Sequence, residues 1–206
     1  TVWLAYIMNT DGSGTIAIHK YTNGSWTQPN QPWCTNAGGG PPNGIETSNV
    51  AELAIVAAGD TAILVWHQGD NLKTLLYKES ANCWDKGAFT ADISVSQGQG
   101  VVRPQITFVN IEPQNGDPAV LRPLVAWHEN QEAEPKRNIK MALWNNVSGG
   151  GVWQTTSFFE RYEDDPGIGS IIVNASHDFP RIDGDRNNNN TFYLAWRHCN
   201  RADGLP

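Results

Sequence analysis

The feature that most constrains the fold is a short strand motif that occurs four times along the 206-residue chain. Each copy is two aliphatic or small residues followed by an aromatic one. The copies are Leu4-Ala5-Tyr6, Leu64-Val65-Trp66, Val125-Ala126-Trp127 and Leu194-Ala195-Trp196. Their aromatic residues are spaced by 60, 61 and 69 positions. Similarity at a nearly fixed period indicates repeated units that bury their apolar faces against one another.

Further strand-like segments flank these motifs at constant positions. One precedes the last three motifs, at 52–56, 103–108 and 179–182, and one follows the first three, at 15–21, 72–77 and 138–144. A tryptophan then opens a fourth segment, at Trp26, Trp84 and Trp153. Turns rich in Gly, Asn and Asp separate the segments. Each unit therefore predicts four antiparallel strands, A to D, which is typical of a β-propeller blade, because a sandwich would show no common period.

The sequence thus predicts an all-β fold, a β-propeller of four-stranded blades with about three and a half blades in residues 1–206. The predicted units are a partial blade with strands B to D (1–30), whole blades at 48–95 and 101–160, and a partial blade with strands A and B (177–200). Propellers close with roughly four to eight blades. We therefore expect further blades from the same or another chain, and we expect residues 1–206 alone to be insoluble or oligomeric.

Charge and hydropathy exclude two classes of partner. The formal charge is −7 and the pI is near 5.1, whereas nucleic acids and anionic membranes attract clustered Lys and Arg. No apolar run approaches the roughly 18 residues of a membrane-spanning helix, so we expect no membrane insertion. The first residues lack the charged flank of a signal peptide, so an export signal is expected to be removed or to lie outside this segment.

Cysteines and sequons bear on the compartment. Cys34, Cys83 and Cys199 lack metal-ligand spacing, so at most one internal disulfide is expected. Asparagines in Asn-x-Ser/Thr tripeptides within turn-like stretches are acceptors in a eukaryotic secretory protein. They are Asn23, Asn146, Asn174 and Asn189. These features favour a secreted or cell-surface glycoprotein.

Several segments together resemble the sialidase-like propellers with neuraminidase repeats. They are 103–106, which is a Pro-led first strand, 124–127, which ends in Val-Ala-Trp, and 138–139, which is followed by Gly-Val-Trp at 151–153. The resemblance covers nearly the whole chain and implies the architecture. It is only a weak indication of activity, because the Asp-box of that family, Ser-x-Asp-x-Gly-x-x-Trp, is missing before Trp26, Trp84 and Trp153. The segment 21–26 is also similar to fucose-lectin propellers, although their repeated Arg and Glu ligands do not recur.

Ligand residues are expected where strand B ends. In such a blade the D–A and B–C connections emerge on that same face, and binding residues concentrate on loops. The motif aromatics are followed by Ile7, His67, His128 and Arg197, and then by Met8, Gln68, Glu129 and His198. This repeated column predicts either a ring of ligand contacts or side chains that only satisfy loop backbone. Trp33, in a long D–A connection, either stacks on a sugar ring or packs its loop against the sheet, with Cys34 in a disulfide.

An enzyme of the sialidase type needs a Tyr nucleophile paired with Glu, an acidic Asp and three arginines that bind a carboxylate. Arg103 and Arg181 start innermost strands, from which they could enter a central cavity. Tyr162 with Glu160 or Glu163 is a crude nucleophile pair. The segment 179–182 lacks the Arg-Ile-Pro signature of the family. The sequence therefore favours a binding or adhesion module for a glycan or a protein over a glycosidase, and a rigid spacer remains the third alternative.

One acidic stretch predicts a possible Ca²⁺ site. Asp183, Asp185 and Asn187 present oxygen atoms at alternate positions, as calcium loops of integrin-like propellers do. Segment 9–13 repeats the pattern less well. Both stretches are also ordinary hairpin turns, and no other cofactor is indicated.

Overall fold

In a computed structural model, the described residues are 1–10, 13–27, 45–47, 50–59, 61–85, 92–95, 102–112, 119–130, 137–147, 150–158, 175–185 and 187–200. Every regular element within these ranges is a strand. The predicted all-β class is confirmed.

The strands form four antiparallel sheets. Sheet 1 contains β1 (Val2–Thr10), β2 (Ser13–Thr22), β3 (Ser25–Thr27) and β4 (Ile45–Thr47). Sheet 2 contains β5 (Val50–Ala58), β6 (Thr61–Gln68), β7 (Asn71–Lys78), β8 (Cys83–Asp85) and β9 (Ile93–Ser94). Sheet 3 contains β10 (Gln105–Ile111), β11 (Val120–Asn130), β12 (Arg137–Val147) and β13 (Gly150–Phe158), and sheet 4 contains β14 (Ala175–Gly184) and β15 (Phe192–Asn200).

Neighbouring strands within each sheet follow chain order, as in β5-β6-β7-β8 and β10-β11-β12-β13. The four aromatic motifs lie in β1, β6, β11 and β15. The described strands do not close into a ring, so the propeller remains a proposal.

The fourth strand differs between sheets. In sheet 3, β13 follows β12 along nearly its whole length, with Trp144 opposite Trp153. In sheet 2 the same edge of β7 is covered by two short strands, with Trp84 of β8 opposite Tyr77 and Ile93 of β9 opposite Leu72. Strands β3 and β4 divide the edge of β2 in the same way. Trp26, Trp84 and Trp153 thus each lie in a strand that pairs with the third strand, as the sequence predicts, and among the described residues the fourth strand runs nearly the full length of its neighbour in sheet 3.

The sheets stack face to face, and the second strand of sheet 2 is buried on both sides. Residues 62–67 of β6 are all buried. Leu64 and Trp66 pack in a cluster with sheet 1, while Ile63 and Val65 pack in a cluster with sheet 3. Alternate residues of a strand point to opposite faces, so a strand between two sheets must be apolar at every position. This explains the uninterrupted apolar run of β6.

Specific contacts join sheet 1 to sheet 2. The Trp3 ring meets the Tyr77 ring edge-on, with centroids 5.0 Å apart. Lys20 forms an ion pair with Glu79, and its Nζ lies 5.6 Å from the centroid of Trp3. Aromatic pairs of this kind contribute roughly 0.5–1.5 kcal/mol beyond the area that they bury.

Hydrogen bonds from backbone amides of sheet 4 and its turn join sheet 3 to sheet 4. The Gly184 amide donates to Thr107 Oγ1 at 3.0 Å, and the Asn190 amide donates to the Asn110 carbonyl at 2.6 Å. A Cβ atom on Gly184 would lie 1.8 Å from the Phe108 carbonyl oxygen, so only glycine allows this approach. The first strands of sheets 2, 3 and 4 pack side by side, β5 against β10 and β10 against β14.

Replacing Leu64 by Ala is expected to lower the free energy of unfolding by about 2–5 kcal/mol, because the side chain is fully buried and its removal leaves a cavity. Chemical denaturation measures the change. The control is Leu121→Ala, since Leu121 is 44% exposed, and its effect should stay within about 0.5 kcal/mol. Equal effects of the two variants would contradict the stacked arrangement.

Candidate functional site

One edge of the sheet stack carries most of the sequence-predicted ligand residues. We call it the B–C edge, and it comprises residues 50–52, 67–73, 92–95, 102–104, 128–130 and 137–140. The strand registers bring these segments together, since Gln68 lies opposite Asn71 and Glu129 lies opposite Asn138. The His128 amide also donates to the Val102 carbonyl at 3.0 Å, which fixes the segment before β10 to β11.

The repeated polar column is buried. His67, His128 and Glu129 are 4, 0 and 2% exposed. The Trp127 indole Nε1 donates to Glu129 Oε1 at 2.7 Å, and in sheet 2 the Trp66 indole donates in the same way to Gln68 Oε1 at 3.3 Å. A residue two positions further along a strand lies on the same face, so the Trp-x-Gln/Glu spacing supplies each indole with an acceptor. The sequence contained this signal, but neither predicted role for the column included it.

Three ion pairs lie along the B–C edge. Lys140 Nζ is 2.7 Å from Glu129 Oε2, and Lys73 pairs with Asp92. Each of these lysines is directly opposite a motif tryptophan in the register, Lys140 opposite Trp127 and Lys73 opposite Trp66. The third pair joins Arg103 to Glu52.

Arg103, predicted as a ligand residue, contacts sheet 2. Its Nε is 3.6 Å from Glu52 Oε1, and its backbone amide donates to the same carboxylate. The backbone of Arg103 has a φ of 46°, in the left-handed region that is uncommon for non-glycine residues. The side chains of Arg103, Lys73 and Lys140 are 35, 34 and 32% exposed, so each is partly accessible to solvent, although the Nε atom of Arg103 is itself buried.

His67 is a buried group with unsatisfied polar atoms. Neither ring nitrogen has a hydrogen-bond partner in acceptable geometry. Burial lowers the pKa of His67 from its ordinary value of 6.5, and the Gly69 backbone and the Asp70 charge oppose this shift without cancelling it. The imidazole is therefore held in the neutral form.

The other predicted ligand residues lie elsewhere or outside the described residues. Arg181 is exposed in β14 on the face opposite to Ile182, and its Nη1 donates to the Pro180 carbonyl at 3.1 Å. Arg197 is opposite Asp178 in the register of sheet 4. Arg103 therefore contacts sheet 2 at the B–C edge, whereas Arg181 lies on an exposed face of sheet 4. Trp33, Cys34, Glu160, Tyr162 and Glu163 lie outside the described residues.

In the predicted Ca²⁺ loop, the carboxylates of Asp183 and Asp185 accept hydrogen bonds from other residues of the protein. Asp185 Oδ1 accepts hydrogen bonds from the amides of Asn187 and Asn188, at 2.9 and 3.2 Å. The side chain of Asn188, followed by the Asn187 amide, lowers the pKa of Asp185. Asp183 Oδ1 accepts from Thr107 Oγ1 at 3.4 Å. Within the described residues there is no group of three or more His, Cys, Asp or Glu side chains that could hold a metal ion, and calcium binding stays a prediction.

The predicted glycosylation sites fall in different settings. Asn23 is exposed in the β2–β3 turn. Asn189 is exposed in the β14–β15 turn, where its Oδ1 accepts from Asn110 Nδ2 at 2.6 Å. Asn146 lies in β12, and Asn174 is outside the described residues.

Cys83 is buried and disulfide-bonded.

A cavity of about 250 Å³ lies between sheets 3 and 4. It is lined by Val109, Ile111, Leu124, Met141, Leu143, Gln154, Asn190 and Phe192. This lining is almost entirely apolar and differs in chemistry from the charged B–C edge.

No helix in the described part of the chain has the length and apolar character needed to cross a bilayer.

Comparisons with protein-family models, with curated proteins and with solved structures find no match for this chain. The resemblance to sialidase-like and fucose-lectin propellers therefore rests on the sequence motifs alone.

The buried imidazole predicts a pH dependence of stability. Because the pKa of His67 is lower in the folded state, the unfolded chain binds more protons as the pH falls through 6.5, and the free energy of unfolding decreases. The contribution is at most about 1.4 kcal/mol per pH unit. Denaturation between neutral and mildly acidic pH should show a shallower slope for His67→Phe than for the wild type.

The control for this measurement is Ile63→Val, which changes a buried residue of the same strand without removing a titratable group. This variant should keep the wild-type slope. If His67→Phe also keeps that slope, the imidazole is not held neutral by burial.

Removal of the Glu129 carboxylate should destabilise the fold. Glu129→Ala leaves the buried Trp127 N–H and the Lys140 ammonium without this acceptor, at a cost of about 3–5 kcal/mol in unfolding free energy. Glu129→Gln keeps an acceptor for the indole and should cost less. Gln68→Ala, which removes a longer and uncharged contact to Trp66, should cost about 1 kcal/mol. Equal losses for Glu129→Ala and Gln68→Ala, measured by chemical denaturation, would contradict the assigned contacts.

Proposed function

We propose that the chain is a carbohydrate-binding module, with its ligand at the B–C edge, in a propeller-type protein that is secreted or displayed at the cell surface. The observation that carries the proposal is the set of three ion pairs along this edge, Lys73–Asp92, Arg103–Glu52 and Lys140–Glu129. Each pair includes a basic side chain that is about a third exposed, and two of the pairs also have a carboxylate side chain that is at least a quarter exposed.

Such pairs suit sugar hydroxyls, which donate and accept hydrogen bonds at the same oxygen. A carboxylate beside an ammonium or guanidinium group offers an acceptor and a donor a few ångströms apart, and hydrogen bonds to ionised groups are stronger than neutral ones. Surface cations that are already ordered lose less side-chain entropy when a ligand binds.

Preorganisation also supports this choice. The Glu129 carboxylate accepts a hydrogen bond from the Trp127 indole and forms an ion pair with Lys140. The registers of β6–β7 and β11–β12 hold the segments of the B–C edge in place. Binding sites built on strands are held more precisely than sites on long loops.

The alternatives have less support. A sialidase-like site would require arginines that converge on one carboxylate, whereas Arg103 contacts Glu52 and Arg181 is exposed on the far face of sheet 4. A protein ligand at the same edge is the second candidate, because ion pairs also form the polar rim of protein interfaces. A rigid spacer would need no ligand at all.

The exposed sequon residues Asn23 and Asn189 favour a secretory location.

The test is binding of the wild-type chain to an array of immobilised glycans, followed by titration of the best glycan against variants. Lys73→Gln and Lys140→Gln should each weaken binding about tenfold or more, which corresponds to the loss of one charge-assisted hydrogen bond. The control is Lys78→Gln, because the Lys78–Asp85 pair, with N–O distance 2.7 Å, lies at the opposite end of β7. Lys78→Gln should bind like the wild type.

Two results would overturn the proposal. One is the absence of binding to any glycan, which would favour the protein ligand or the spacer. The other is equal binding by all three lysine variants, which would place the ligand away from the B–C edge.

A further inference from the structure

Sheet 1 exposes apolar side chains at positions that are buried in the neighbouring sheet. Val2, Leu4 and Tyr6 of β1 are 56, 47 and 40% exposed. In the aligned motifs, these residues correspond to Ala62, Leu64 and Trp66 of β6. Those three pack against sheet 1 and are at most 7% exposed. The same strand face is therefore covered in sheet 2 and uncovered in sheet 1.

An aromatic pair repeats this contrast. The rings of Tyr21 and Trp26 are 5.2 Å apart, and those of Tyr77 and Trp84 are 5.1 Å apart at the matching place in sheet 2. Trp3 of the preceding sheet packs on Tyr77, and the sheet 2 pair is at most 2% exposed. Tyr21 and Trp26 are 37 and 51% exposed. We call Val2, Leu4, Tyr6, Tyr21 and Trp26 the leading face of sheet 1.

The chain itself shows what covers a leading face. In sheets 2, 3 and 4 it is the opposite, trailing face of the sheet before it, as when sheet 1 packs on sheet 2 through Trp3, Ile16 and Ile18. Among the described sheets, the trailing face that has no sheet on it belongs to sheet 4. It comprises Arg181, Asp183, Tyr193 and Ala195, all exposed, with Tyr193 at 63%.

We propose that the chain self-associates head to tail, with the trailing face of sheet 4 in one copy stacked on the leading face of sheet 1 in a second copy. The contact continues the stacking that the chain uses internally. The five residues of the leading face carry no formal charge, so no buried like-charge contact arises there. Arg181 faces an aromatic surface, and guanidinium groups are attracted to the faces of Trp and Tyr. This surface is separate from the B–C edge and does not depend on the proposed function.

Geometry and charge set the expected behaviour. A contact between two different surfaces of the same chain produces either a closed ring or an open filament. The described residues of two copies contribute four sheets each, and the resulting eight sheets fall within the range of roughly four to eight blades seen in closed rings. We therefore expect association to stop at a dimer. The net charge of −7 opposes association, so added salt should strengthen it by screening the repulsion.

The experiment is sedimentation velocity over a wide range of chain concentration, at low and high salt. Leu4→Lys places a charge on the leading face, and Tyr193→Lys places one on the trailing face. The control is Leu121→Lys, since Leu121 is 44% exposed and lies outside both faces. The wild type and the control should form dimers, and each of the other two variants should be monomeric. Far-ultraviolet circular dichroism checks that all four chains remain folded.

An equimolar mixture of the Leu4→Lys and Tyr193→Lys chains makes the test decisive. One mutant keeps an intact trailing face and the other keeps an intact leading face, so a heterodimer with a single intact contact should appear. The proposal is overturned if the wild type stays monomeric at high salt and high concentration. Dimers of Tyr193→Lys, which would indicate a contact between two leading faces, and a mixture without any heterodimer contradict it equally.

Discussion

The structure depends on the burial of both faces of its central strands. β6 has one row of side chains packed with sheet 1 and the other packed with sheet 3, and Val125 and Ala126 of β11 likewise belong to clusters on opposite sides. Fully burying one such aliphatic side chain contributes about 1.5–3 kcal/mol. A sheet with two buried faces disfavours polar side chains away from its strand ends, and the buried His67, His128 and Glu129 lie near the ends of β6 and β11.

The charged B–C edge follows from this constraint. Trp66 and Trp127 each bring an indole N–H into the core, and the acceptor is the residue two positions later, Gln68 or Glu129. A buried carboxylate in turn requires a cation, which Lys140 supplies from the neighbouring strand. The packing of the sheets therefore orders the polar groups that we propose as the ligand site.

Much of the fold could be predicted from the sequence, because its local signals are strong. The aromatic motifs, the turns and the apolar runs indicated the strands of sheets 2 and 3 and their order along the chain. The site could be predicted only in part. The residue column at 67–68 and 128–129 was found, but residue types do not reveal that a neighbouring sheet covers it. The pair Arg103–Glu52 joins residues 51 positions apart, and no local pattern marks such a contact.

The most direct test of the account is the measurement of proton–proton proximities between sheets by nuclear Overhauser spectroscopy. The stacked order predicts cross-peaks between the rings of Trp3 and Tyr77, whose centroids are 5.0 Å apart, and between the Gly184 amide and the side chain of Thr107. These contacts join sheet 1 to sheet 2 and sheet 3 to sheet 4. Intact strand-to-strand cross-peaks within each sheet, without any between the sheets, would contradict the stacking on which the site and the self-association rest.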